Sequence, residues 1–180
     1  MGMADWNIFG SGMWQLVSGA AVSGSYVLEL YSPAAGQHIE LLYNGNTSIG
    51  NTEVIAWVKT YSGNPGRPTL YWREQSATDT LNGYAMMIPS ATTATIYRVA
   101  GGVWTAMATI TVPSIQGQWQ KFRVRMKSYN IEVSYWDGAQ WVLLALFHDT
   151  AQQWASGAAG FGNRTQGKSW FDDVEIGVET

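Results

Sequence analysis

The sequence predicts an all-β protein in which two antiparallel sheets pack face to face. Three observations predict it. The stretch Gly117 to Leu146 reads as three consecutive antiparallel strands. Alternating apolar and polar runs recur along the chain at roughly ten-residue spacing with turn signals between them, the mark of a sandwich or barrel. The composition is aromatic and glycine-rich, with ten Trp, nine Tyr and 20 Gly but only 13% charged residues. That mixture fits half-buried pleated surfaces better than helices.

The meander is the clearest part. Phe122, Val124 and Met126 alternate with Lys121, Arg123, Arg125 and Lys127, the period of two of a half-buried strand. The basic stripe predicts a solvated or edge-protecting face, with Glu132 of the next strand as a partner. Ser128-Tyr129-Asn130 makes a tight turn. Ile131, Val133 and Tyr135 then share one face, and Glu132, Ser134 and Trp136 the other. Asp137-Gly138 predicts a type I′ hairpin, which needs positive φ at both central residues. Trp141 to Leu146 is nearly all apolar, which predicts cover on both faces.

Taken in order, Asp5 to Phe9 is a short opening segment. Met13 to Val17 and Tyr26 to Tyr31 read as strands around a turn at Ser23 to Ser25. Pro33 to Gly36 turns into His38 to Tyr43. Asn44-Gly45 is a further turn signal in a loop that continues through Asn51. In Glu53 to Tyr61, Val54, Ala56 and Val58 face one way; Ile55, Trp57, Lys59 and Tyr61 face the other. The loop Ser62 to Pro68 holds two prolines and two glycines and cannot be regular. Thr69 to Glu74, Tyr84 to Ile88 and Thr95 to Val99 follow as strands. Thr150 to Ala155 is the one helix candidate, capped by Thr150 but short. Gly157 to Gly162 and Ser169 to Val178 close the set. Tyr97 to Trp104 echoes Tyr135 to Trp141, and Gly12-Met-Trp14 echoes Gly117-Gln-Trp119. No fixed period runs through the chain, so these read as Trp anchors at strand starts.

At 180 residues with no linker or charge block, residues 1–180 are expected to form one domain. The chain has no cysteine, hence no disulfide framework or thiolate metal site. A net charge of −3 argues against a nucleic-acid partner. No 18-residue apolar run exists to insert in a membrane. The N-terminal MGMADWNIF lacks the basic-then-apolar order of a secretory signal.

Several pieces occur in an informative order: a Trp-led strand at Trp119, Trp136-Asp137-Gly138, a Trp-led return at Trp141, Gly157-Ala-Ala-Gly160-Phe161, and a closing Trp170-Phe-Asp-Asp-Val-Glu-Ile176. The order resembles the concanavalin A-like lectin/glucanase superfamily, which includes laminin G-like, pentraxin-like and laminarinase-type domains. The resemblance covers the last third well and the rest by pattern. It implies a jelly-roll sandwich with one concave and one convex sheet. Some galactose-binding-type modules also end in an Asp-Asp-Val strand, but they lack the preceding Gly-x-x-Gly-Phe step.

The glucanases of that superfamily carry Glu-x-Asp-x-(x)-Glu on one strand, whose spacing aims the carboxyl groups at one face for retaining hydrolysis. No such string exists here. Glu29, Glu40, Glu53, Glu74 and Glu132 are isolated on their strands, and His38 and His148 have no metal-ligand spacing. A non-catalytic protein is therefore expected. The resemblance also implies a structural Ca²⁺ at Asp172, with Asp5 and loop carbonyls as further oxygen ligands. A capping role for Asp172 or Asp173 on neighbouring backbone N–H groups is the alternative.

Sugar rings lie flat on Trp or Tyr while fixed polar groups read their hydroxyls. Trp57, Tyr61, Trp72, Arg73, Tyr84, Tyr97 and Trp136 are the candidates for such a site, with Lys59 between two rings and Glu132 and Ser134 beside Trp136. Core packing is the competing role for any one of them. Asn46-Thr-Ser48 and Asn163-Arg-Thr165 fit the N-glycosylation pattern and read as plain loop residues.

Two functions follow. The first is a non-catalytic, lectin-like carbohydrate-binding module displayed on a phage virion or outside the cell. The second is a structural virion protein, a capsid decoration or tail-associated component, whose aromatics meet neighbouring subunits, with homo-oligomerisation an option. Rings clustered in a groove with polar neighbours would mark a ligand. Rings spread over a broad patch would mark a protein interface.

Overall fold

A computed structural model describes residues 5–44, 48–75 and 81–178. Within them the alternating runs become fourteen strands: β1 Trp6–Gly10, β2 Met13–Ser18, β3 Tyr26–Ser32, β4 His38–Tyr43, β5 Thr52–Thr60, β6 Pro68–Glu74, β7 Gly83–Ser90, β8 Thr93–Ala100, β9 Val103–Thr111, β10 Gln120–Lys127, β11 Asn130–Trp136, β12 Trp141–His148, β13 Ala158–Arg164 and β14 Gly167–Val178. They form two antiparallel seven-stranded sheets. The first has the order β1-β4-β13-β6-β7-β8-β9 and the second β12-β11-β10-β5-β14-β3-β2. The result is a jelly-roll sandwich.

The period-two patterns decide which face is buried. On β5, Val54, Ala56 and Val58 point into the sandwich, and β10 sets Val124 opposite Val54 and Phe122 opposite Ala56. The first sheet answers with Ile39, Leu41, Leu70, Met86 and Ile96. Large rings bridge the layers. Phe161 of β13 meets Phe171 of β14 at 4.8 Å. Trp72 of β6 stacks on Tyr84 of β7 at 6.1 Å and donates its indole N–H to Met126 Sδ of β10 at 3.1 Å.

Four expectations are corrected. β12 is not covered on both faces; it is the edge of the second sheet, with Leu143 56% and Leu146 65% exposed. A register shift opposite Val133/Ser134 breaks its alternation, so both leucines point outward while Val142, Ala145 and Phe147 pair with inward-facing residues. The basic strand β10 is not an edge, since it lies between β5 and β11. Its Arg123 and Arg125 pair with Glu53 and Glu132 on those neighbours, the Arg123–Glu132 pair at 3.0 Å as the sequence predicts. Residues 150–155 form no helix. Gln152 has φ +48°, and the Trp154 carbonyl accepts from Arg73 instead of a helical amide. At the β11–β12 hairpin only Gly138 of the Asp137-Gly138 pair has positive φ. The Asp137 carboxylate there accepts from the Ala139 and Gln140 amides at 2.8 and 2.9 Å, an Asx-type closure. The turn with positive φ at both central residues is Gly101-Gly102, which starts β9. Gly45 of the Asn44-Gly45 signal and Asn46 of the first glycosylation pattern lie outside the described residues.

β13 runs between β4 and β6 so closely that a Cβ on Gly160 would strike the Leu41 carbonyl and stand 2.9 Å from Leu42 Cα. Gly50 has only ordinary contact at 3.6 Å. Gly160→Ala should therefore cost about 2–3 kcal/mol in urea unfolding, against about 0.5 kcal/mol or less for Gly50→Ala. Equal losses would show that close strand approach is not what Gly160 serves.

Candidate functional site

The outer face of the first sheet is built by residues that alternate with the core. β4 points His38, Glu40 and Leu42 outward; β13 contributes Gly160, Gly162 and Arg164; β6 contributes Thr69 and Tyr71. Along one row Gly160, Tyr71, Ala85 and Tyr97 stand side by side on four successive strands. The glycines leave room for Tyr71 to lie down. A Cβ on Gly162 would come 3.1 Å from its ring.

This face curls inward. Arg164 on β13 and Trp104 on β9 are four strands apart, about 19 Å on a flat sheet. Their guanidinium and indole nevertheless stack at 4.7 Å. Two side chains cannot bridge that span unless the sheet bends toward this side. The bend buries residues that an open face would expose: Glu40 is 0% and Tyr71 1% accessible. Leu42, Tyr71 and Ala85 gather with Phe9, Tyr97 and Trp104 into a second apolar cluster, and Tyr97 props Trp104 edge-on at 5.2 Å.

Glu40 is the electrostatic centre. Arg164 Nη1 is paired with its Oε1, and His38 Nε2 stands 3.8 Å from the same oxygen. Glu40 Oε2 and the Tyr71 hydroxyl make no hydrogen bond of standard geometry. Burial pushes the Glu40 carboxyl up to about 7 against the opposing pull of Arg164. Burial, and then the nearby Glu40 charge, raise the Tyr71 phenol.

Above this floor opens a cleft of about 250 Å³, bordered by His38, Arg67, Met87, Trp104, Arg164 and Thr165. Its rim hangs on Asn163, which is fully buried. Asn163 Oδ1 accepts from the Arg67 amide at 2.8 Å and the Ser169 hydroxyl at 2.8 Å. Its Nδ2 donates to Ser32 Oγ and to the Thr165 and Gly167 carbonyls. The Arg164 amide donates to the Arg67 carbonyl at 3.0 Å. Thus the second glycosylation pattern is a structural hub whose Asn side chain is closed to solvent.

The other candidates fall in three places. Trp72 and Tyr84 are core rings, with the Tyr84 hydroxyl donating to Asp149 Oδ2 at 2.6 Å. Arg73 is 1% exposed, donates to the Gly50 and Trp154 carbonyls, and lies 5.2 Å from the Tyr129 ring. These three offer no surface to a ligand. Positive φ at Arg73 turns its side chain from the outer face to the sandwich interior. Tyr97 belongs to the cleft side through its contact with Trp104. Trp57, Tyr61 and Trp136 lie on the outer face of the second sheet. There Lys121 sits 6.0 Å from the Trp57 ring and Lys59 4.8 Å from Trp170. Trp136 meets Trp141 at 5.6 Å, and Tyr61 meets Trp170 at 6.4 Å. Rings and cations alternate in a band across that sheet. Sequence reasoning missed Trp104, Arg164, Arg67 and His38 as a group. The signal for them was Gly160-Phe-Gly162, whose outward positions carry no side chain.

Asp172 and Asp5 do not fit a calcium site. Asp172 Oδ2 accepts from the Val22 and Ser23 amides at 2.7 and 3.0 Å, and Oδ1 from the Asp173 amide. Asp5 stands at the head of the other sheet, its carbonyl accepting from the Asn44 amide. Among the described residues no three His, Asp or Glu side chains gather as metal ligands. Asp172 has the capping role.

No family model matches the chain, and no curated protein does. Solved structures match its fold over nearly their whole length. The carbohydrate binding module CBM66 from Bacillus subtilis is 14% identical, with 94% of each chain covered and a TM-score of 0.73. The exoplasmic/lumenal domain of VIP36, in a form bound to Ca²⁺ and Man3GlcNAc, is 10% identical; all of this chain and 86% of that one are covered, at 0.75. A legume lectin-like domain from Entamoeba histolytica is 7% identical, with 98% and 91% covered, at 0.67. The chain shares with these structures the fold of a two-sheet jelly-roll sandwich.

Two measurements check the site's construction. Asn163→Ala leaves several buried groups without partners and should cost about 2–3 kcal/mol in denaturant unfolding. A loss below about 0.5 kcal/mol would contradict the hub. The Glu40 carboxyl is raised in the folded protein, so its contribution to stability is full below about pH 4.5 and is lost as pH rises through about 7. Relative to wild type, Glu40→Gln should therefore gain on the order of 1–3 kcal/mol between pH 5 and pH 8. A pH-independent difference would refute the buried, shifted carboxyl.

Proposed function

We propose that this protein is a non-catalytic glycan-binding module and that its binding site is the cleft on the inward-curled first sheet. One observation carries the reading: Trp104 is held against Arg164 over a sealed carboxyl, beside His38 and Arg67. A fixed ring with fixed polar groups around a concavity is what a sugar unit needs. The names of the fold neighbours support it, since CBM66 is a carbohydrate binding module and VIP36 is seen with mannose-containing ligands. The non-catalytic part is supported by how the carboxylates are occupied. Glu29 accepts from Gln15, Lys168 and Trp170; Glu53 and Glu132 face Arg123 and Arg125; Glu74 accepts from the Asn82 amide. The proposal includes no metal.

The second reading, a structural virion subunit, is favoured by the other face. Its rings follow a whole sheet instead of gathering in a groove, and Leu143 and Leu146 continue it to an exposed edge. On a virion the two readings combine: the second sheet meets protein and the cleft meets a cell-surface glycan.

A glycan array with wild type, Trp104→Ala and Trp57→Ala/Trp136→Ala tests this, each variant checked for folding. Binding should be at least tenfold weaker in Trp104→Ala and kept in the double variant. The reverse pattern would move the site to the second sheet. Silence of folded wild type across the array would overturn the glycan reading and leave the structural one.

A further inference from the structure

The lining of the cleft is chemically one-sided. Two of the six arginines of a chain with net charge −3 border it, together with His38, and among the described residues no Asp or Glu does. Arg67 is exposed and makes no ion pair among the described residues. Arg164 has one edge on Glu40 and one face on Trp104, with its side chain 22% accessible toward the cleft. The backbones of the two arginines are tied to each other and, through Arg67, to Asn163, so their starting points are fixed. A cavity of about 250 Å³ holds one sugar unit, not an extended chain.

We propose that the cleft selects an acidic sugar, a unit whose carboxylate lies between Arg67 and Arg164 while its ring rests against Trp104. This rests on the glycan-binding reading and names its ligand class. The physical reason is the balance of donors. Guanidinium groups present paired N–H donors that match a carboxylate and accept nothing. A neutral sugar would leave the Arg67 charge uncompensated while displacing its water. Glu40 does not repel the ligand's charge, because it is sealed beneath Arg164. Its own charge is set among Arg164 on β13, His38 on β4, and Tyr71 and Glu74 on β6; β1 presents only the neutral Phe9 opposite it. Protonation of Glu40 as pH falls leaves Arg164 uncompensated. Acidic-ligand affinity therefore rises from pH 8 to pH 6.

The experiment is isothermal titration of the full chain with four acidic probes: oligogalacturonate, oligoglucuronate, an alginate oligomer and sialyllactose. Each is paired with its carboxyl-reduced form, and a sulfated galactan oligomer provides a second kind of anion. At least one acid should bind tenfold or more tightly than its reduced form. Arg67→Gln, a change at an exposed position, should remove most of that preference. Arg164→Lys should weaken binding while keeping the charge, because the paired donors are lost. Glu40→Gln should flatten the pH dependence. Equal binding of acid and reduced forms would overturn the inference and leave the glycan reading standing. Binding of the sulfated probe alone would overturn the carboxylate assignment. Binding of neutral array sugars with none of the acids would overturn it as well, whereas absence of any sugar binding would fall on the glycan reading itself.

Discussion

The cleft depends on a strand that withholds its side chains. β13 sits between β4 and β6, and its outward positions 160 and 162 are glycines that lie against the neighbouring backbone and the Tyr71 ring. Any larger residue there would lift Tyr71 and separate the strands. Because nothing lifts it, the sheet closes over its own outer face, Glu40 and Tyr71 lose their water, and Trp104 reaches Arg164 from four strands away. A sheet face that is normally open becomes a second, small core with a polar centre.

That polar centre is a poor source of stability and a good source of geometry. Desolvating a carboxylate costs several kcal/mol, and one guanidinium partner recovers only part of it. The raised Glu40 carboxyl reflects this balance. What the arrangement achieves is to hold Arg164 in one orientation, with Glu40 at one edge and the Trp104 ring against its face. The Arg123 and Arg125 ladder on the second sheet is the useful contrast. Its partners Glu53 and Glu132 are roughly a quarter to a third exposed, where water screens each pair to a fraction of a kcal/mol or a little more. The same residue types keep the outer face of β5, β10 and β11 polar on one sheet and shape a cleft on the other.

How much of this was legible in the residues follows from range of interaction. The meander, the inward sets of β5 and β10, and the Arg123–Glu132 pair are nearest-neighbour consequences of alternation, and alternation is visible in sequence. The edge position of β12 is not, because a run such as Trp141 to Leu146 looks the same whether a second layer covers it or a bulge turns two leucines outward. The failed helix at residues 150–155 turns on Arg73, whose side chain takes the Trp154 carbonyl from 81 residues away. The division of the aromatics among core, cleft and band has the same character. Trp57, Trp72 and Tyr97 are equivalent on paper, and only strand order in the sandwich separates them. Asp172 was legible as an oxygen donor, while its acceptors' true partners, the Val22 and Ser23 amides, come from the opposite end of the chain.

The two outer faces then divide by geometry more than by composition, since both carry rings and cations. On the second sheet Lys59 and Lys121 lie over the rings themselves, so charge and aromatic surface satisfy each other and present a broad, shallow band. On the first sheet a single ring is taken up by Arg164 on one side and Tyr97 on another, and Arg67 stands over the opening with no ion pair among the described residues. Polar groups that are fixed but not saturated, around a volume of one sugar unit, are what distinguish a recognition site from a sticky face. On the proposed reading, the capacity to discriminate ligands lies with the curled sheet, and the second sheet is the side on which the molecule would be held.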